Sequence, residues 1–226
     1  MILIDKYAYT NKLKDANPMF KFIFSLLMLI ISLSLKKITI IFLIFCFMSS
    51  ITIYVVNISF KKYFKLLCIP ITFLLISIIT MIISVDNTPT SFLLQISLGK
   101  YYIGITQIGI DRGLLLFFRS LGSLTCTYFL ALTIPMNQLI QVFKKLHLSK
   151  TIIEIMVLVY RFIFIFLEES KELYVAQNLR FGYKGIRNSY KSTAILIKIL
   201  FVRVMERYDE LNISLETKLF NGEFYI

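Results

Sequence analysis

An all-α polytopic membrane protein, with about four to six transmembrane helices and a helical domain on the cytoplasmic side, is predicted by three features of the sequence. Hydrophobic residues make up 58% of the 226 and charged ones only 17%, against roughly 45–50% and 25% in soluble domains. The apolar residues are gathered into runs long enough to cross a bilayer. The net charge of +12 punctuates those runs, which is how membrane topology is written. A nucleic-acid-binding protein would spread its Lys and Arg over a soluble surface instead. The lipid bilayer is therefore an expected partner and nucleic acid is not.

The elements follow in order. The opening MILIDKYAYTNKLKDANP is interrupted by acids and tyrosines before any apolar core, so it does not read as a signal peptide. Asn17-Pro18 opens the first helix, proline being tolerated in a first turn. Spans are expected near residues 18–35, 38–56, 64–85 and 105–134. The first is just long enough with snorkelling lysines at its ends, and Lys36-Lys37 makes the first two a tight hairpin. Residues 86–104, DNTPTSFLLQISLGKYYIG, combine turn residues, a short apolar patch and two tyrosines. They read as an interfacial loop or short re-entrant segment. Pro135 ends the fourth span.

Charge bias then orients the chain. With the N-terminus inside, inner segments carry Lys6, Lys12, Lys14, Lys21, Lys61, Lys62, Lys65, Lys144, Lys145 and Lys150, and outer ones Lys36, Lys37 and Lys100. That asymmetry favours N-in. The domain division expected is 1–134 in the membrane and 135–226 cytoplasmic or interfacial. Asp5, Asp15, Asp86 and Asp111 are the acids before residue 135, and the other nine of the 13 follow it. Residues 152–167 are apolar yet hold Glu154 and Arg161, and residues 193–205 hold Lys198 and Arg203. Val204, Tyr208, Leu211, Leu215 and Leu219 recur at helical spacing, with Glu206, Arg207, Asp209 and Glu210 expected on the other face. Long amphipathic helices at the membrane boundary fit this region better than two more full spans.

Chemistry is sparse. There is no Walker A pattern, no serine with His and carboxylate companions, and one histidine, His147, among basic residues. Catalytic residues, cofactors and metal ligands are expected to be absent. Cys46, Cys68 and Cys126 each sit in apolar runs and read as free buried thiols. Asp111 beside Arg112 reads as a structural ion pair. Arg119, two turns deeper, has two readings. One is holding helices together through backbone or hydroxyl contacts; the other is contacting a partner subunit within the membrane. In the polar stretch 168–185, Arg180 lies between small Ala176 and Gly182, which suits docking into a partner's groove and equally suits solvation.

The segments IDKYAYTNKLKDANPMFKF, LTIPMNQLIQVFKKL, LVYRFIFIFLEESKELYVAQNLRFGYKG and LFNGEFYI, in that order and spacing, resemble the transmembrane T component of energy-coupling factor (ECF) transporters of the cobalt-uptake CbiQ type. The resemblance runs over essentially the whole chain. It implies a non-catalytic coupling subunit of an ABC-type importer in a bacterial inner membrane, for cobalt or nickel. Its partners would be a homo- or heterodimer of cytoplasmic ABC ATPases and a membrane substrate-binding (S-type) subunit. In that family two coupling helices each carry an Ala-Arg-Gly-type signature whose arginine enters a groove on one ATPase. The first match here is AQNLRFG, with Ala176, Arg180 and Gly182. The second falls in ISLETKLFNGEF and departs from the signature: Ser214 stands at the alanine, Lys218 at the arginine and Leu219 at the glycine. Lysine keeps the charge but loses the planar fork. The rival reading from another class is a polytopic membrane enzyme acting on lipid, with Asp111, Arg112 and Arg119 as its polar site.

Overall fold

Eight helices and three strands make up the described residues of the computed structural model, which are 3–86, 92–98 and 101–217. In order they are α1 (Leu3–Thr10), α2 (Pro18–Ser34), α3 (Ile38–Val56), α4 (Phe60–Ile82), β1 (Ile83–Asp86), β2 (Phe92–Leu98), β3 (Tyr101–Thr106), α5 (Gln107–Thr133), α6 (Met136–Lys145), α7 (Lys150–Leu179) and α8 (Ile186–Thr217). Two units divide the chain, Ile2–Leu139 and Ile140–Ile226, with the division inside α6.

Local chemistry sets the helix ends of the first unit. Asn17 accepts from the Met19 amide at 3.0 Å and Pro18 occupies the first helical position of α2, satisfying donors that a helix start leaves open. Asn57 closes α3 with φ 55°, a left-handed conformation that asparagine tolerates. Three helices, α3, α4 and α5, are long and apolar enough to cross a membrane; α2 is apolar but has 17 residues. At 1.5 Å per residue α2 is roughly 26 Å long, a little short of a bilayer core of about 30 Å.

The helix α5 is the axis of this unit, packed against α1, α2, α3 and α4. Its faces explain why. Gly122 lets α2 and α3 approach so closely that a Cβ there would lie 2.6 Å from the Ser32 hydroxyl and 3.3 Å from Ile41. Leu132 joins Val56, Ile58, Tyr63 and Leu67 in one apolar cluster, while Cys126 and Phe129 join Ile44 and Met48 in another. The outward faces stay apolar: Ile69, Phe73, Ile76 and Ile79 of α4 are all exposed. A patch of that extent marks a face that lipid or a membrane partner covers.

Two departures from the sequence expectations lie between α4 and α5. The described parts of the stretch expected as an interfacial loop or re-entrant segment (residues 86, 92–98 and 101–104) lie in an antiparallel sheet in the order β1-β3-β2, with Ile83 opposite Ile105 and Leu98 opposite Tyr101. Residues 87–91 and 99–100 lie outside the described residues. Strand pairing also captures the flanks of the expected third and fourth spans. The third helix therefore runs Phe60–Ile82 where 64–85 was expected, and the fourth begins at Gln107 where 105 was expected. The sequence does carry the signal. Residues 94–98, LQISL, alternate with period two, and only Gly99-Lys100 separates the two strands.

In the second unit α7 and α8 form an antiparallel helical hairpin. Phe162 packs against Tyr208, with ring centroids 6.4 Å apart, and Glu169 bonds Arg203. Arg207, expected on the face away from the apolar stripe, turns toward α7, where its guanidinium lies 3.7 Å from Glu169. A carboxylate with most of its surface covered draws both arginines to itself.

Candidate functional site

The hairpin turn presents the first candidate motif. Ala176 is exposed on the last turns of α7, in a shallow groove of about 470 Å³ that it lines with Glu168, Lys171, Glu172, Val175 and Leu179. Arg180 is the C-cap residue of α7 (φ −90°, ψ 16°) and is exposed. Among the described residues it has no ion-pair partner. The residue sits where the helix has stopped and the chain has not yet turned back.

The turn around it is tightly built. The amides of Arg180 and Gly182 both donate to the Gln177 carbonyl, at 3.2 and 2.9 Å, closing the end of α7. The Tyr183 hydroxyl bonds the Gln177 side chain at 2.8 Å, and its ring lies 4.7 Å from that of Tyr174. From α8 the Ser192 hydroxyl donates to the Gly182 carbonyl at 2.7 Å, and Ser189 donates to the Tyr183 carbonyl at 3.1 Å. Gly182 is required by space: a Cβ would stand 2.7 Å from the Ser192 oxygen and 2.9 Å from the Gln177 carbonyl. Sequence reading singled out Arg180 and Gly182 but missed Gln177, Tyr183 and Ser192. The available signal was the clustering of tyrosine and serine around two turn glycines.

The second candidate motif is not beside the first. Ser214 is exposed near the far end of α8, 28 residues beyond Ile186, which at 1.5 Å per residue is roughly 42 Å along the helix. Lys218, Leu219 and the NGEFYI tail lie outside the described residues.

Electrostatics stiffen the hairpin between these ends. Glu169 accepts from Arg203 at 2.6 Å, and Arg207 also bonds Glu210 at 3.0 Å. The Arg203 hydrogen bond is the largest effect on the Glu169 carboxyl and, helped by the charges of Arg203 and Arg207, holds it below its ordinary range against the opposing effect of burial.

In the first unit, Arg119 donates through Nη2 to the Leu35 carbonyl at 2.8 Å. That carbonyl ends α2, so the guanidinium meets the negative end of a helix dipole. This contact fits the helix-holding reading, with Leu35 as its acceptor; the nearby Ser123 donates to the Arg119 carbonyl instead. The expected Asp111–Arg112 ion pair does not form. Both residues are exposed, and neighbours in a helix project about 100° apart. Lys21, counted at first as a snorkelling residue, is only 2% exposed. Its ammonium donates to the carbonyls of Leu13 and Thr133 at 3.0 and 3.2 Å and to the Gln138 side chain at 2.7 Å. Asn11 donates to the same Thr133 carbonyl at 3.2 Å. No group of potential metal ligands occurs among the described residues.

The profile of the CbiQ family, described as cobalt transport protein, matches residues 10–226. The chain belongs to this family. The cobalt transport protein CbiQ of Salmonella typhimurium is 35% identical over 225 residues, covering 99% of each chain. An uncharacterized protein of Methanocaldococcus jannaschii is 32% identical over 221 residues, 98% of this chain and 81% of that one. A putative fused cobalt transport protein CbiMQ of Methanocorpusculum labreanum is 26% identical over 222 residues, which cover 97% of this chain and 37% of that longer protein. Family and apolar helices together make this CbiQ-type chain a membrane protein and a component of cobalt transport.

Proposed function

We propose that the chain is the transmembrane coupling subunit of an ECF-type ABC importer. It carries ATP-driven movement of a cytoplasmic ATPase pair to a membrane substrate-binding subunit for cobalt, or nickel, and is not itself catalytic. In this reading residues 1–134 are the membrane domain, the N-terminus is cytoplasmic, and residues 135–226 are the coupling domain. The observation that carries the proposal is Arg180, exposed at the capped end of α7 on a turn that fixes its backbone. The turn fixes the backbone from which this side chain projects, and a guanidinium suits a planar, bidentate partner such as a carboxylate. The two long helices behind it are tied to one another through Glu169 and Arg203. A push on the turn is therefore passed along both helices.

Ser214 and Lys218 are proposed as the second, altered contact, at the far end of α8. Fusion to a second cobalt transport component in the Methanocorpusculum protein supports association with further subunits here. The test is co-expression of Arg180→Glu with the ATPases and the substrate-binding subunit. Loss of ATPase from the purified complex, together with loss of cobalt uptake by cells, is the expected result. Retention of both sinks the proposal.

A further inference from the structure

Phe181 is the most unusual residue of the hairpin turn. Its φ is 56°, the left-handed region in which a bulky side chain is a steric outlier. A glycine would occupy this position without strain. The phenyl ring is not repaid by burial, because the residue is 74% exposed; the nearby Lys184 ammonium stands 5.9 Å from its centroid. Strain kept at a site where the side chain contributes nothing to the core points to use outside the chain.

Its surroundings describe what it meets. Leu179, Ile186 and Tyr190 are also exposed, at 76, 92 and 81%, so the tip offers an apolar surface on both arms of the turn. The charge around them has one sign. No acid occurs between Glu172 and Glu206, whereas Arg180, Lys184, Arg187 and Lys191 lie at or near the turn. Basic and aromatic residues together also suit an anionic lipid surface. A lipid surface, however, accepts such side chains in any arrangement. Here the turn is fixed by Gln177, Tyr183 and Ser192 and by a glycine that no larger residue replaces. A fixed shape reduces the ordering cost of entering a shaped protein groove.

We infer that Phe181 is a binding anchor, its ring filling an apolar pocket of the cytoplasmic ATPase beside the groove that receives Arg180. The inference rests on the coupling reading and adds to it a second determinant of affinity, of the aromatic type that dominates small interfaces. Its test uses the full chain co-expressed with its ATPases and purified in mild detergent. Phe181→Gly removes the ring and relaxes the backbone. Bound ATPase should fall about tenfold, with thermal unfolding of the variant unchanged or later. A photo-crosslinking phenylalanine analogue at position 181 should attach to the ATPase. Loss of ATPase in Arg180→Glu with full retention in Phe181→Gly overturns the anchor while leaving the coupling reading intact. Retention in both variants overturns the coupling reading itself. An earlier melting point for Phe181→Gly, or crosslinking to lipid alone, assigns the ring to folding or to the membrane and also overturns the inference.

Discussion

At the scale of single residues, the membrane unit depends on polar side chains that satisfy helix backbones where water is absent. Pro70 lies inside α4 and has no amide hydrogen, so the carbonyl four residues earlier loses its helical partner. That carbonyl belongs to Leu66, and the Tyr128 hydroxyl of α5 donates to it at 3.0 Å. Removing the hydroxyl leaves an acceptor unpaired in a low-dielectric setting, at a cost of about 1 kcal/mol. Tyr128→Phe should therefore lower the unfolding midpoint in detergent, and an unchanged or raised midpoint would refute the assignment. None of this was legible in the sequence. The proline was visible, but its compensating donor comes from another helix, and no local pattern links residues 66 and 128. The same holds for Lys21, whose position at the end of an apolar run suggested a solvated charge. Its acceptors come from segments eight and 112 residues away in sequence.

At the scale of elements, the long apolar runs gave four helices close to their expected places, because twenty or so consecutive apolar residues have few alternatives. The sheet between α4 and α5 was missed for the opposite reason. Its strands are short, and tyrosines beside glycines are as common at an interface as in a hairpin. The hairpin of α7 and α8 was anticipated as amphipathic helices, but the side of α8 on which Arg207 lies was not. Its direction is set by Glu169, on the preceding helix. That contact has a pH signature. Glu169 is held below its ordinary carboxylate range, so its contribution is complete above that range, near 4.3 for a free side chain. It is lost as pH falls through the lower folded value. Spin labels at Lys171 and Val202 should report a narrow separation at neutral pH that broadens only in acid below the ordinary carboxylate range. Glu169→Gln should broaden it already at neutral pH. A separation indifferent to both would mean that apolar contacts such as Phe162–Tyr208 hold the hairpin alone.

At the scale of the whole molecule, the proposed topology places the Lys36-Lys37 turn outside and the hairpin tip inside. With Cys46, Cys68 and Cys126 replaced by alanine, a membrane-impermeant thiol reagent should label Lys36→Cys in intact cells. It should label Lys184→Cys only after permeabilisation. The reverse pattern would invert the orientation and remove Arg180 from the cytoplasm. The candidate site was legible in part. Arg180 and Gly182 stand in a recognisable string, whereas the strain at Phe181 and the bracing by Ser192 exist only once the chain has turned back on itself.

The shared Thr133 carbonyl also bears on how the protein is made. Asn11 leaves the ribosome 122 residues before the acceptor it will use, and Lys21 leaves 112 residues before the same atom. At a synthesis rate of about 5–20 residues per second, that interval is roughly 6–24 s. Throughout it, a lysine destined for burial has only nearby backbone and water to bond. The contacts that tie Asn11 and the start of α2 to α5 therefore form only after the C-terminal end of α5 has been translated.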